Sequence, residues 1–301
     1  MERPSRPMQT LPSIPAPYAL TETRHGLMLV NRNDLYMGQA LLHYGECFEL
    51  ELQFMLSLLR KPGMVLDVGA NMGIHTVPLA RALAARGGTV VALEPQPIVF
   101  QQLCANLALN ALMNVIALPY ACGNENGPLI FDTPDYLRPG NFGGTEMRPA
   151  DAAQTHQQVV QCARLDDLLP NEDIDFIKID VEGFELEVLR GSSHLLERCK
   201  PILYVENDRV ERSPQLIQWL LDHDYRMWWH FPPLYNPANF RGFEKNIYAD
   251  LASTNMFCIP ASLSIQVENF VEVTDPDFHP LAPGASLTEM LRQQQQAAGN
   301  T

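Results

Sequence analysis

Two acids and a glycine loop carry the first chemistry. In VLDVGANMGIHT, Val65 to Thr76, an apolar run ends in Asp67 and then turns through Gly69, Ala70, Asn71 and Gly73. Glycines there let the backbone turn sharply and approach a ligand. Asn71 stands where a dinucleotide-binding G-x-G-x-x-G loop has its middle glycine, and no Lys-Ser/Thr ending follows. Asp67 would oppose a pyrophosphate and suits a cationic or hydrogen-bond-donating ligand. Glu94, in VVALEP with Pro95 after it, ends the next apolar run, where a carboxylate accepts hydrogen bonds from ribose hydroxyls. Acid, loop and acid together favour S-adenosylmethionine, which carries an ammonium and a sulfonium. Thr76 closes the loop, and Cys122 follows the third strand, where an adenine could rest. The alternative is glycines that serve helix–strand packing and a merely solvated Glu94.

A second constellation lies in IDFIKIDVEGFELEVLRG. Lys178, Asp180 and Glu182 alternate, so they share one side while the strand continues. Charges at a buried strand end need partners, and a structural Lys–Asp pair would satisfy that. In the functional reading, Asp180 and Glu182 enter the cleft as base, metal ligand or substrate anchor. Methyl transfer from a sulfonium chiefly needs alignment and exclusion of water. An alcohol acceptor must also lose its proton to a base or bind a metal. The candidates are Asp180, Glu182, His75 and His230, with Asp180 first. Two close carboxylates raise one pKa or bind Mg²⁺, and Mg²⁺ is the less favoured reading.

MWWHFPPLYNPANF supplies a candidate substrate wall. Trp228, Trp229 and Tyr235 could stack on a sugar ring or apolar acceptor, with Asn236 and Asn239 for hydroxyls. The same run reads equally as a small satellite core. Asn106 and Asn110 read as solvent-facing or capping residues, and His279 has no partner in the sequence.

The elements that must position these groups alternate. His25 to Glu46 reads as short strands with turns at NRND and near Gly45. CFELELQFMLSLL has helical spacing and stops at Pro62-Gly63. MVLDVG, TVVALEP, NVIALPYACG, DIDFIKID and PILYVEN read as strands, each except NVIALPYACG followed by one helical segment. GPLIFDTP and HQQVVQCARL add strands after NVIALPYACG. YRMWWH and NMFCIP have no helix between them. The pattern predicts an α/β, mostly parallel, doubly wound sheet of about seven strands, with an antiparallel last strand and extra N-terminal strands. Residues 1–20 read as a flexible segment and 21–270 as one domain. Within it, 25–60 are N-terminal strands and helix, 61–260 the core and 228–250 the aromatic substrate loop. Residues 271–301 read as a peripheral tail.

The 301 residues carry a formal net charge of -14, which argues against nucleic acid as a partner. Six scattered cysteines without C-x-x-C read as buried free thiols in a reducing compartment. Neither a signal peptide nor a membrane span is evident, so a cytoplasmic protein is expected.

DVGANMG, LEP, ACG, LDDLL and IKIDVEGFELEVLRG with the following KPILYVEN resemble the FkbM family of methyltransferases, from roughly Tyr44 to Pro260. The resemblance implies a class I, Rossmann-like O-methyltransferase dependent on S-adenosylmethionine, with S-adenosylhomocysteine as product and a hydroxyl of a sugar, glycan or secondary metabolite as acceptor. Asp67, Gly69, Asn71, Gly73 and Glu94 match its cofactor motifs. Asp180, counted with the cofactor-binding residues as well, Glu182 and Gly183 match its downstream motif, and Glu46, which resembles an acidic position before the first strand, joins the substrate candidates. His75 is outside the family motif. Two competitors stand beside this reading: a binding or scaffold protein that has lost transfer, and a nicotinamide oxidoreductase.

Overall fold

The computed structural model describes residues 14–59, 61–146, 148–149 and 157–286. Most of the expected flexible N-terminus and the glutamine-rich end of the tail lie outside them. The described chain begins with the antiparallel hairpin β1 (Tyr18–Thr23) and β2 (Gly26–Asn31), followed by helices α1 (Met37–His43) and α2 (Glu49–Leu58). The alternating part runs β3 (Met64–Val68), α3 (Thr76–Ala84), β4 (Thr89–Leu93), α4 (Pro97–Leu109) and β5 (Val115–Leu118). A second sheet holds β6 (Tyr120–Cys122), β7 (Gly127–Asp132), β8 (Arg148–Pro149) and β9 (Gln157–Ala163). The chain then returns through α5 (Leu165–Leu168), β10 (Ile174–Ile179), α6 (Glu185–Arg190), α7 (Ser193–Cys199), β11 (Ile202–Glu206) and α8 (Ser213–Asp222). It closes with β12 (Tyr225–His230), β13 (Asn255–Pro260) and β14 (Val271–Val273).

The main sheet has eight strands in the order β14-β12-β13-β11-β10-β3-β4-β5. The five from β11 to β5 are parallel, each joined to the next in the chain by a crossover connection that contains at least one helix. β13 inserts antiparallel between β11 and β12, as the missing crossover helix predicted. The eighth strand, β14, comes from the segment read as tail. Two other expectations change. MGQALLH is the helix α1, where short strands were expected. NVIALPYACG is two strands in different sheets, divided at Pro119.

Alternation along each strand builds two apolar layers. Val65, Val90, Phe176, Tyr204, Trp228 and Phe257 pack against Leu52 and Met55 of α2 and Leu79 and Leu83 of α3. Leu66, Val91, Ile177, Leu203, Met227 and Trp229 meet Val188, Leu196, Ile217 and Leu220 from α6, α7 and α8. A third cluster, including Met28, Val30, Ala70, Met72 and Leu103, lies under the hairpin. All six cysteines are free; Cys104 is exposed and Cys199 partly so, while the other four are buried as expected. Among the described residues no helix is long and apolar enough to cross a membrane.

Candidate functional site

A cavity opens at the carboxyl ends of β3, β4, β10 and β11, and the strand order reverses between β3 and β10. Open parallel sheets leave a crevice at such a point. The sequence there cannot continue as strand. Gly69 takes φ 80°, and a Cβ on it would run into the Asp180 carbonyl oxygen, so β3 and β10 approach too closely for any side chain. Asn71 takes φ 49°, and its Oδ1 accepts from the Met72 N–H at 2.7 Å. Gly73, at φ 93°, faces Leu103 of α4 and belongs to helix packing.

Glu94 lines the cavity, and the loop holds it in place. Its Oε2 accepts the Asn71 N–H at 2.9 Å and its Oε1 accepts the Gln96 N–H at 2.8 Å. Each oxygen keeps a further lone pair for a ligand hydroxyl. Burial raises its pKa to about 7 against the pull of those bonds. Ala70, Asn71, Pro95 and Cys122 also line the cavity. Burial pushes the Cys122 thiol upward, so it is a neutral, apolar wall.

Asp67 corrects an expectation. It is 0% exposed and lies beneath the loop instead of facing a ligand. Thr76 donates its hydroxyl to Oδ2 at 2.6 Å, and the Lys178 ammonium lies 3.3 Å from Oδ1. Lys178 and Asp67 are register partners on adjacent parallel strands, so their side chains emerge on the same face. Lys178 also lies 3.3 Å from Asp180 Oδ2 and donates to the Gly69 carbonyl at 3.0 Å. Burial lowers its pKa, but Asp180, Asp67 and Glu51 outweigh that and leave it raised. The charge expected to meet a cationic ligand is thus neutralised internally, and Asp67 and Thr76 hold the loop from below.

Carboxyl groups gather at the other end. Asp180 and Glu182 reach the cavity. Glu182, in the left-handed region at φ 56°, accepts from Arg209 at 2.8 Å. Burial, then Asp180, raise it to about 8. Glu206, at the end of β11, has a buried Oε2 without a hydrogen-bond partner, and burial raises its pKa well above the usual range. Asp180, Glu182 and Glu206 each place an oxygen within 4.8 Å of the others, close enough to share a proton or a cation. Glu51 of α2, 4% exposed, accepts from Asn255 Nδ2 at 3.2 Å. Burial and then Asp180 raise it to about 7. His75 Nε2 lies 3.5 Å from Glu51 Oε1, has no hydrogen-bond partner, and burial lowers the imidazole to about 3. His75 is therefore a neutral ring in the cavity wall.

Glu51 and Glu206 were missed in the sequence. Glu206 had a signal, since it ends a buried strand much as Glu94 follows one. Glu51 looked like one more acid on an amphipathic helix.

The expected substrate wall is elsewhere. Trp228 and Trp229 are each 2% exposed on opposite faces of β12; Trp228 stacks on Phe257 and Trp229 on Phe231. Strand alternation makes them core. His230 Nδ1 bonds the Tyr204 hydroxyl at 2.8 Å, away from the cavity lining. Glu46 anchors a surface loop: it accepts from Arg24 at 2.7 Å, from Asn236 Nδ2 at 2.7 Å and from the Phe240 N–H at 2.7 Å. Asn239 and Tyr235 close that loop onto the Phe243 carbonyl. Asn106 is fully buried; its Oδ1 accepts the Leu29 N–H and its Nδ2 donates to the Met72 carbonyl, which ties the glycine loop to β2. Asn110 is the C-cap of α4, as the capping alternative expected; its Nδ2 donates to the Asn106 carbonyl at 2.8 Å, and its side chain also bonds both backbone groups of Leu27. His279 has a partner after all, the Asn207 carbonyl at 2.9 Å.

The chain is similar to known methyltransferases. The "Methyltransferase FkbM domain" model matches residues 67–227, more than half of the chain. "Methyltransferase 1" of Beauveria bassiana is 30% identical over 145 residues, 42% of this chain and 57% of that protein. "Hexuronic acid methyltransferase AglP" of Haloferax volcanii is 27% identical over 149 residues, 48% of this chain and 56% of that protein. The chain thus spans little more than half the length of these relatives. The crystal structure of "Methyltransferase FkbM" from Methylobacillus flagellatus has 19% identity and a TM-score of 0.47, covering 67% of this chain and 45% of that one. The matched domain contains the glycine loop, Glu94 and the Lys178–Glu182 segment, and the chain belongs to the FkbM methyltransferase family.

Proposed function

We propose that this protein is an S-adenosylmethionine-dependent O-methyltransferase whose acceptor is a hydroxyl of a sugar, glycan or secondary metabolite. One observation carries the reading. A single cavity joins Glu94, with both oxygens fixed by backbone N–H groups, to Asp180 across a loop that admits no side chain at Gly69. The donor set fits the cofactor: Glu94 would hold the ribose, Gly69 and Ala70 would let the chain pass, and Cys122 would border the adenine. The cofactor supplies an activated methyl group.

The chain's own residues do the rest. Lys178 fixes Asp180 at 3.3 Å and the Gly69 carbonyl at 3.0 Å, so the two ends of the cavity are held in one frame. Asp180 would accept the acceptor hydroxyl's proton, and Glu182 would share it. The apolar wall limits water. The relative named for hexuronic acid supports an acceptor of the sugar class. A silent binding protein would keep the same cofactor residues, so product formation is the discriminating readout.

The test is calorimetric titration with S-adenosylhomocysteine, beside NAD⁺, on wild type and Glu94→Ala. S-Adenosylhomocysteine alone should bind, and the variant should lose about 1–3 kcal/mol. Binding of NAD⁺ instead, or of neither, would refute the reading. A labelled methyl group then identifies the acceptor by product mass.

A further inference from the structure

Two carboxyl groups of the cavity wall have no lysine or arginine partner among the described residues. Glu51 is 4% exposed, and its hydrogen-bond donors, the Asn255 amide and the Ser253 hydroxyl, are neutral. Glu206 presents a buried Oε2 with no hydrogen-bond partner at all. The nearby cations, Lys178 and Arg209, act on Glu51 and Glu206 only from a distance and make their close ion pairs elsewhere. Lys178 pairs with Asp67 and Asp180, and Arg209 pairs with Glu182, Asp208 and Glu146. A further observation concerns a residue that is not an acid. His75 is 2% exposed, lines the same cavity, and its Nε2 beside Glu51 is unpartnered. As a neutral ring it supplies no compensating charge. A buried carboxylate without a close counter-charge is costly, so these acids hold their protons more tightly than usual while the cavity is empty, and an entering cation would favour their ionised form.

The cavity indicates which cation. Gly69 abuts the Asp180 backbone. A ligand with its ribose on Glu94 and its chain over Gly69 therefore carries its next atoms beside Asp180. There Glu206 places an oxygen within 4.8 Å of the Asp180 carboxylate, and Glu51 feels the same charge.

We propose that Glu51 and Glu206 recognise the positive sulfonium of S-adenosylmethionine, so that the cavity holds the methyl-loaded cofactor in preference to the neutral thioether left after transfer. This rests on the cofactor reading above and assigns to Glu51 and Glu206 the role that Asp67 cannot fill. It also gives a direction to turnover: once the methyl group has gone, the attraction that held the charged sulfur is lost and the product leaves.

The experiment needs no acceptor. S-Adenosylmethionine and S-adenosylhomocysteine share adenine, ribose and the amino-acid head; they differ by one methyl group and its charge. Each is titrated calorimetrically into wild type, Glu206→Gln and Glu51→Gln at neutral pH. In wild type the charged form should bind about tenfold more tightly, as expected for one unit charge at a few ångströms in a partly solvated cavity. Each variant should move the affinity for S-adenosylmethionine towards that for S-adenosylhomocysteine, which should stay unchanged and thereby report an intact fold. Equal wild-type affinities overturn the proposal without help from any variant. An equal loss of both ligands in the variants also overturns it, because the acids would then serve the shared ammonium. Binding of neither ligand to wild type would remove the cofactor reading itself.

Discussion

Removing the Lys178 ammonium while keeping its bulk, in Lys178→Met, should destabilise the protein severely. Lys178 is 3% exposed and Asp67 0%. The substitution strands Asp67 with the Thr76 hydroxyl and releases Asp180 from its cation. Breaking a buried pair by deleting one partner costs about 3–5 kcal/mol, because the remaining charge stays buried. Folded domains hold only about 5–15 kcal/mol in total, so about a fifth of the stability or more should go. The assay is urea unfolding followed by tryptophan fluorescence, since Trp228 and Trp229 report on the sheet. The double variant Asp67→Asn, Lys178→Met should recover about 2 kcal/mol of the loss, as neighbours in one ion pair are not additive. If Lys178→Met alone shifts stability by less than about 1 kcal/mol, the pair is effectively solvated. The loop would then be held by its backbone, and Asp67 would have no part in fixing it.

Two further outcomes test the reassigned residues. Trp229→Ala should cost about 3–5 kcal/mol as a core truncation, yet leave S-adenosylhomocysteine affinity within about twofold; a large affinity loss in a folded variant would show that Trp229 supports the cavity and is more than core. His75 has a folded pKa of about 3, depressed from 6.5 by burial. Its contribution is therefore fully present above pH 6.5 and is lost as pH falls towards 3. At about 1.36 kcal/mol per unit, His75→Gln should lose about 2 kcal/mol less than wild type between about pH 7 and about pH 5. Parallel stability curves for the two proteins would show that His75 already protonates in the fold.

The alternation of strands and single helices was legible in the sequence because apolar period and turn residues are local signals, and the parallel strands follow from them. MGQALLH was missed because four of its seven residues are buried, including its glycine and alanine, so no polar face marks the helix. Trp228 and Trp229 read as a wall because their chemistry suits sugars; only the register with Trp228 opposite Phe257 and Trp229 opposite Met256 puts them in the interior of the sheet.

The site shows the same division more sharply. Gly69, Asn71 and Glu94 sit within one strand–loop–strand unit, so their mutual geometry was readable. Lys178 and Asp67 lie more than a hundred residues apart, and pairing them required knowing that β10 docks beside β3 in register. That pairing reverses the electrostatic argument. An acid in the loop looked like the attraction for a positive ligand, but its charge is neutralised by a lysine from the neighbouring strand. The unpaired acids come from α2 and the end of β11, elements whose sequence looks like scaffold. The proposed attraction for a positive ligand therefore rests on which carboxylates lack a close partner, and that is a property of the assembled sheet.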